Sequence, residues 1–469
     1  MRISERTHAH SVFSLALIVF CVFALIKFSV RGPLRATWNS VDFRSLYVAS
    51  LVCAQGLDCY DPEALKAGWL SAGVGAGQPS ELELRALYPP TTYVLLRPMS
   101  YLSWRSAKLV WGLINIAALA ILSLCTARVA RLGSHRLLWL AAILLAMEPV
   151  STGFMLGQPA IMCATMIAVS LLLVLSGAPI LGGAFEGLAV ALKPQLAGVV
   201  FVAYLINRRL LASVSAVVSF ATILAIAFIN LRGHPEWIRN YIQNIQHLEF
   251  ATRWFKTNGY RPINPNLIEL LNLRHPLDIL SGDKTAAAYI ALAIALGLSI
   301  APARTLRRTS APFDLQQCVS LLLILELLAV YHRAYDASVL AVPLAWSLAP
   351  QTPRGHAWPI WLGTALFILP SSVGVRDLGR MVHLPGAITS SVVWNAFIVP
   401  YQSWTLLAMA IWMNWLLSGG RVSSDPSQNV VDAGTQPAEG LRSFPPAGLR
   451  NQVTAQKAPI HEPAAANIT

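Results

Sequence analysis

The chain has 469 residues, 55% of them hydrophobic and only 12% charged, with a mean hydropathy of +0.55. An ordinary soluble domain carries about 25% charged residues, so a chain this apolar cannot cover a water-facing surface and takes lipid as much of its solvent. The net charge is +13, but the basic residues lie between apolar runs and no zinc, helix-turn-helix or RNA-binding signature accompanies them, which points to membrane topology and anionic headgroups and away from nucleic acid.

The apolar runs, taken in order, predict an all-α, polytopic transmembrane helical protein of about twelve spans. The first run, 12–30, follows Arg2 and Arg6. A signal peptide competes with it, but the run is long, and Arg31, Pro33 and Arg35 follow instead of a small-x-small cleavage site, so it reads as an uncleaved first span. The others are 107–126, 137–150, 160–175, 180–192, 196–206, 211–229, 286–303, 315–331, 338–348, 358–369 and 404–417. Several fall short of the ~20 residues of a full span. With a cytoplasmic N-terminus, 1–11, the short basic loops holding Arg128, Arg131 and Arg136, then Arg208 and Arg209, then Arg304, Arg307 and Arg308, then Arg354 all fall on the cytoplasmic side. Reading 180–206 as one helix moves two of these clusters across the membrane, so the chain is expected to break at Lys193-Pro194, where proline also interrupts a helix.

Three long loops, 31–106, 230–285 and 370–403, then face outward within a transmembrane domain of residues 12–418. The stretch 237–255 is amphipathic and suits a helix lying in the interface plane. Residues 419–469, rich in Pro, Ser, Gln, Ala and Gly, predict a disordered cytoplasmic tail. Cys21, Cys125, Cys163 and Cys318 sit in apolar runs and read as small core residues. Cys53 and Cys59 flank a short polar stretch; they form either a disulfide or two thiols, and spacing alone does not choose.

Polar residues at membrane depth need a reason. Asp42 and Arg44 follow the first span in Val41-Asp42-Phe43-Arg44, and Tyr88-Pro89-Pro90 lies later in the same loop. Gly157-Gln158-Pro159, Lys193-Pro194-Gln195 and Tyr331-His332-Arg333-Ala334-Tyr335-Asp336 each sit at a turn. A topology drawn from charges in other loops puts all of them on the outer side. A carboxylate can take the proton of an attacking hydroxyl, and cations can stabilise a departing phosphate. These residue types suggest glycosyl transfer from a polyprenyl-phosphate sugar. A transporter or flippase of lipid-linked sugars uses similar residues, but would set them near the midplane.

At these residues the sequence resembles glycosyltransferase family 87, bacterial membrane enzymes of the GT-C fold. The resemblance runs over about 12–417 and rests on an ordered set: Asp42-Phe43 with Tyr47; Gly56 to Tyr60-Asp61-Pro62; Tyr88-Pro89-Pro90, Pro98, Trp111 and Asn115; Gly157-Gln158; and Gly187 through Lys193-Pro194. It implies a polyprenyl-phosphate donor of mannose or arabinose type and a lipid or glycan acceptor at the outer face of the bacterial inner membrane. It also implies an inverting, metal-independent single displacement with no cofactor, and Asp42 as the general base. Lys193, His332, Gln158, Arg44, Tyr335, Asp336 and Tyr88 are the candidate substrate contacts. The chain departs from the family near the ninth span, where many members carry an S-P-x-S-W-x-H element and this chain reads Ala329-Val330-Tyr331-His332-Arg333-Ala334-Tyr335-Asp336, with His332 as the counterpart of that histidine.

Bland roles compete at each position. Asp42 can pair with Arg44 or Arg35, Lys193 can snorkel, and Asp336 can pair with Arg333. Tyr88-Pro89-Pro90 and Tyr60-Asp61-Pro62 read as architecture, with Asp61 an N-cap. Glu148, Glu186 and Glu326 read as interhelical hydrogen-bonding groups, and Trp104, Trp111 and Trp358 as interfacial belt anchors.

Overall fold

In lipid every backbone N–H and C=O must find its partner within the chain, which favours helices. The computed structural model describes residues 2–74, 83–251, 270–309 and 311–419, and they are helices and turns, with an isolated antiparallel bridge between Leu270 and Arg333. All of them lie in one unit of the chain, 1–422. The expected tail, apart from Gly419, and the end of the amphipathic stretch lie outside the described residues.

The chain opens with α1 (Arg2–Arg31) and the short α2 (Pro33–Ala36). Helices α3 (Val41–Ala54), α4 (Pro62–Ala72) and α5 (Pro90–Leu96) belong to the first long loop. Then come α6 (Trp104–Val129), α7 (Ser134–Ala146), α8 (Glu148–Leu156), α9 (Ala160–Leu175), α10 (Pro179–Leu192), α11 (Pro194–Ile206) and α12 (Leu210–Leu231). Helices α13 (Trp237–Ala251) and α14 (Arg274–Ser281) belong to the second loop. The remainder is α15 (Lys284–Leu298), α16 (Ile300–Arg308), α17 (Pro312–Ala329), α18 (Ala341–Ser347), α19 (Arg354–Leu366), α20 (Ser372–Met381), α21 (Gly386–Thr389) and α22 (Tyr401–Leu417).

Among the described residues, five helical stretches are long and apolar enough to cross a membrane: Ser14–Ala36, Trp104–Val129, Leu210–Leu231, Lys284–Arg308 and Pro312–Ala329. Counted as one broken span, the bent pair α7 and α8 makes a sixth. The described residues are therefore almost wholly helices and turns, with several helices long and apolar enough to cross a membrane, as an all-α membrane protein requires. Other apolar helices, α9, α10 and α11 among them, are shorter, so length alone does not reach twelve.

The run 137–150 is not one straight helix. It bends by 57° between α7 and α8, because Pro149 has no N–H to donate back into the preceding turn. Lys27 of α1 donates to Ala146 O (2.5 Å) and Ile368 O (2.6 Å) beside the bend. Glu148 is ion-paired with Arg31 at 2.7 Å and faces Lys27 at 3.8 Å. Glu148 thus makes the interhelical hydrogen bond expected of it, and the bond is also an ion pair to the first helix.

Small residues set the packing of α10. A Cβ on Gly183 would lie 2.1 Å from Ala212 O, and one on Gly187 2.4 Å from Ala216 O. These contacts advance together along both chains, so α10 and α12 run parallel with their backbones close. Gly182 meets Val174 while Ala189 O meets Cys163 Sγ, so α9 and α10 run antiparallel. The chain therefore reverses after α10 and again after α11. Lys193 and Arg208 stand at opposite ends of α11, whose 13 residues span about 20 Å. The expected break at Lys193-Pro194 is present.

The first loop builds its own apolar cluster from Phe43, Leu46, Tyr47, Tyr60, Trp69 and Tyr93. Cys53 and Cys59 are joined as a disulfide. Asp61 caps α4, accepting from Glu63 N and Ala64 N. Helix α13 docks on this cluster through Asn240, which donates to Asp58 (2.7 Å), and Asn244, which donates to Tyr60 O (3.0 Å). Ile238, Ile242 and Ile245 remain exposed along α13, as an interfacial helix requires.

Candidate functional site

Two turns and two helix starts converge on Asp42. Ser40 takes a left-handed conformation before α3, and its N–H donates to Met155 O (3.1 Å) at the end of α8. Asp42 then falls in the first turn of α3, where the helix dipole favours a negative charge. The turn after α8 packs directly on it. Gly157 has φ +73, and a Cβ there would lie 2.5 Å from Phe43 Cβ, so glycine is required both for conformation and for space. Trp111 Nε1 donates to Gly157 O (2.9 Å), and its ring stacks on Phe43 at 5.0 Å and 3°. The clamp delivers Gln158, whose Nε2 donates to Asp42 Oδ2 while its Oε1 accepts from the Tyr88 hydroxyl.

The second half of the site is the break between α10 and α11. Pro194 cannot donate, and the last carbonyls of α10 need partners. Thr91 Oγ1 donates to Ala191 O (2.6 Å) and Thr92 Oγ1 to Leu192 O (2.9 Å), so the start of α5 takes the place of a continuing helix. Lys193, left at the corner, donates to Asp336 Oδ1 and lies 4.9 Å from the Tyr335 ring. His332 Nδ1 is 3.0 Å from Asp336 Oδ2, and its Nε2 faces Glu326 at 3.6 Å, too long for a hydrogen bond. Leu271 N–H donates to His332 O (2.9 Å), which pins this stretch to the returning second loop.

The electrostatics follow from burial and neighbours. Burial pushes the Asp42 carboxyl above the usual carboxylate value, against the pull of Arg333, the Gln158 bond and Lys193. Burial also acts on Asp336, but there Lys193 and His332 prevail and hold the carboxyl low. Burial opposes charge on His332, yet its hydrogen bond to Asp336 and the nearby Glu326 raise its pKa. Burial likewise works against Arg333, and the Asp42 carboxylate and the hydrogen bond that Arg333 Nε donates to the Tyr331 hydroxyl (3.1 Å) oppose it, so the guanidinium stays charged. Tyr88 and Tyr335 are pushed well above the usual phenol range, chiefly by burial, and remain hydrogen-bond donors.

The structure thus brings Asp42, Gln158 and Tyr88 into one network and Lys193, Asp336, His332 and Tyr335 into another, with Arg333 acting on Asp42. Arg44 does not join them. Two residues on from Asp42, it points to another helix face, pairs with Glu83 at 3.4 Å and lies 5.4 Å from the Trp69 ring. Arg333 was weighed in sequence as an ion partner for Asp336, and its influence on Asp42 was missed; its place inside the dense Tyr331–Asp336 run was the available signal. Trp111 is buried and clamps the Gly157 turn, so it is not a belt anchor, whereas Trp358 is exposed. Glu186 is fully buried beside Ser170 and Tyr204. Among the described residues no group of three or more His, Cys, Asp or Glu is placed to hold a metal ion.

The family model for glycosyltransferase family 87 matches residues 86–330, more than half of the 469 residues. No curated protein and no solved structure matches the chain.

Proposed function

The chain belongs to glycosyltransferase family 87, and on that premise we propose that it moves a hexose or pentose, mannose-like in the first instance, from a polyprenyl-phosphate donor to a lipid or glycan acceptor. The observation that carries this reading is a pair of polar networks, Gln158 and Tyr88 on Asp42 and Asp336 on Lys193 and His332, with Arg333 and Lys193 both favouring the Asp42 carboxylate. Asp42 takes the proton of the acceptor hydroxyl as that oxygen attacks the anomeric carbon. The new carbon–oxygen bond forms on the face opposite the phosphate, the old one breaks, and polyprenyl phosphate leaves with the electron pair. The configuration inverts. Arg333, Lys193 and protonated His332 stabilise the departing phosphate. Gln158 and Tyr88 fix the direction of the Asp42 carboxylate, and Asp336 positions Lys193 and His332.

We place this site at the outer face of a bacterial inner membrane, with both termini cytoplasmic and the shorter helices completing about twelve passes. The arginine turns support this, since Arg208 lies at the end of α11 away from Lys193. A transporter or flippase reading has less support, because the polar groups gather at one end of the helices.

The test uses the purified protein in liposomes with labelled polyprenyl-phosphate mannose or arabinose and an extract of host membrane lipids and glycans. Wild type is expected to transfer label, and Asp42→Asn to lose about 10²–10⁴-fold of the rate. Transfer by both discards Asp42 as base. Transfer by neither, from either donor, overturns the donor assignment.

A further inference from the structure

At the opposite end of α11 the chain builds a second polar feature that the reaction does not use. Asn207 Nδ2 donates to Leu306 O (2.7 Å) and Thr309 O (2.8 Å), tying the turn after α11 to the end of α16. Arg209 is spent on this clamp, with its Nε donating to Asn207 Oδ1 (3.1 Å). Arg208 adopts φ +57, and its N–H donates to Leu205 O while that of Arg209 donates to Tyr204 O, the ending of a helix in a left-handed residue. The result is a shallow, open hollow lined by Leu205, Ile206, Arg208 and Arg307.

The lining has two chemistries. Among the described residues, Arg208 and Arg307 make no side-chain hydrogen bond or ion pair. Asp314, at the start of α17, accepts from Thr309 Oγ1 (2.6 Å) and forms no ion pair with either arginine among the described residues. The floor is apolar and open: Leu205 is 44% exposed, and Leu210 and Leu211 continue the exposed apolar surface at 64% and 62%. Two uncompensated guanidinium groups above an apolar slope that runs onto the flanks of α11 and α12 match a charged headgroup joined to acyl chains. Inorganic phosphate has no use for the floor, and a zwitterionic lipid has less use for two cations.

We propose that this hollow binds the headgroup of an anionic phospholipid, with Arg208 and Arg307 gripping the phosphate and Leu205 and Ile206 meeting the first acyl carbons. It stands about 20 Å along α11 from Lys193 and is a separate site.

Native mass spectrometry of the full chain, titrated with dioleoyl phosphatidylglycerol or dioleoyl phosphatidylcholine, tests this. Wild type is expected to favour the anionic lipid. Arg208→Asn with Arg307→Gln is expected to weaken that binding about 25-fold, at roughly a factor of five per arginine; asparagine is chosen because it tolerates the left-handed conformation. Arg208→Lys with Arg307→Lys should retain most of the preference. Arg307→Gln alone, on the exposed end of α16, is the reading to use if the double variant fails to fold, with an expected loss of about fivefold. Equal affinity of wild type and a folded variant overturns the site. So does equal binding of the two lipids, or displacement of the lipid by inorganic phosphate, which would make it a simple anion site.

Discussion

Replacing Gly157 with alanine tests whether the turn after α8 positions the base. The residue has φ +73, and the added Cβ would meet Phe43 Cβ at 2.5 Å and Phe43 Cα at 3.6 Å. The left-handed conformation costs a non-glycine residue about 1–2 kcal/mol, and forcing a methyl group into a packed contact costs about 1–3 kcal/mol more. The sum is about 2–5 kcal/mol. The overlap is with Phe43 Cβ, which alanine keeps, so trimming the ring in Phe43→Ala does not rescue the variant. If the turn moves to relieve the overlap, Trp111 loses Gly157 O and Gln158 draws away from Asp42, so transfer falls as well. Thermal unfolding in detergent reads the stability, and a drop in melting temperature on the order of 5 °C is expected. Gly198→Ala is the control, since nothing lies within 4 Å of its added Cβ and alanine favours the helix by about 1 kcal/mol. A Gly157→Ala protein as stable and as active as wild type would refute the steric argument and, with it, the claim that this turn aims Gln158.

Lys193→Met leaves buried Asp336 with His332 as its remaining cation and should destabilise by about 3 kcal/mol, while Lys193→Met with Asp336→Asn, which removes the unpaired charge and keeps a hydrogen-bonding group for His332, should recover part of that; equal stability of the single and double variants in chemical unfolding argues against the pair. Because burial raises the Asp42 carboxyl and a base must be ionised, the rate should fall on the acid side through a pKa above the ordinary carboxylate value, and a profile without that acid limb counts against Asp42. His275 is buried, with its pKa lowered to about 4 by desolvation and by Arg376. The unfolded chain therefore binds the proton first, and stability should fall as pH drops from about 6.5 to about 4, by on the order of 3 kcal/mol. Unfolding of His275→Asn should lack that dependence, and an unchanged slope would assign it to other groups.

The helices were legible because lipid imposes long apolar runs, and reversal at Lys193 was legible because proline and the arginine turns pointed to it independently. The bend after Met147 was not read, although Pro149 signalled it, because hydrophobicity runs through it without a dip. At the site, the polar turns were legible as unusual residues at membrane depth. Their partners were not. Asp336 was offered Arg333 because the two are close in sequence, whereas its cation, Lys193, comes from 143 residues away. Arg44 was drawn in by proximity to Asp42, and the helix turns it aside. Trp111 looked like one more tryptophan near a helix end, since nothing in its spacing tells that its indole N–H meets Gly157.

The threonine caps on α10 bear on how this protein can be recombined with its relatives. Thr91 and Thr92 complete the carbonyls of Ala191 and Leu192, so the corner that carries Lys193 is finished by a segment a hundred residues upstream. A graft that exchanges residues 31–106 to alter acceptor choice therefore carries half of that corner with it. Splice points that keep residues 88–96 together with 179–206 from one parent preserve the joint. Points that separate them leave two carbonyls open at the place where the cation stands, and such hybrids should fail at folding before they can reveal any change in specificity.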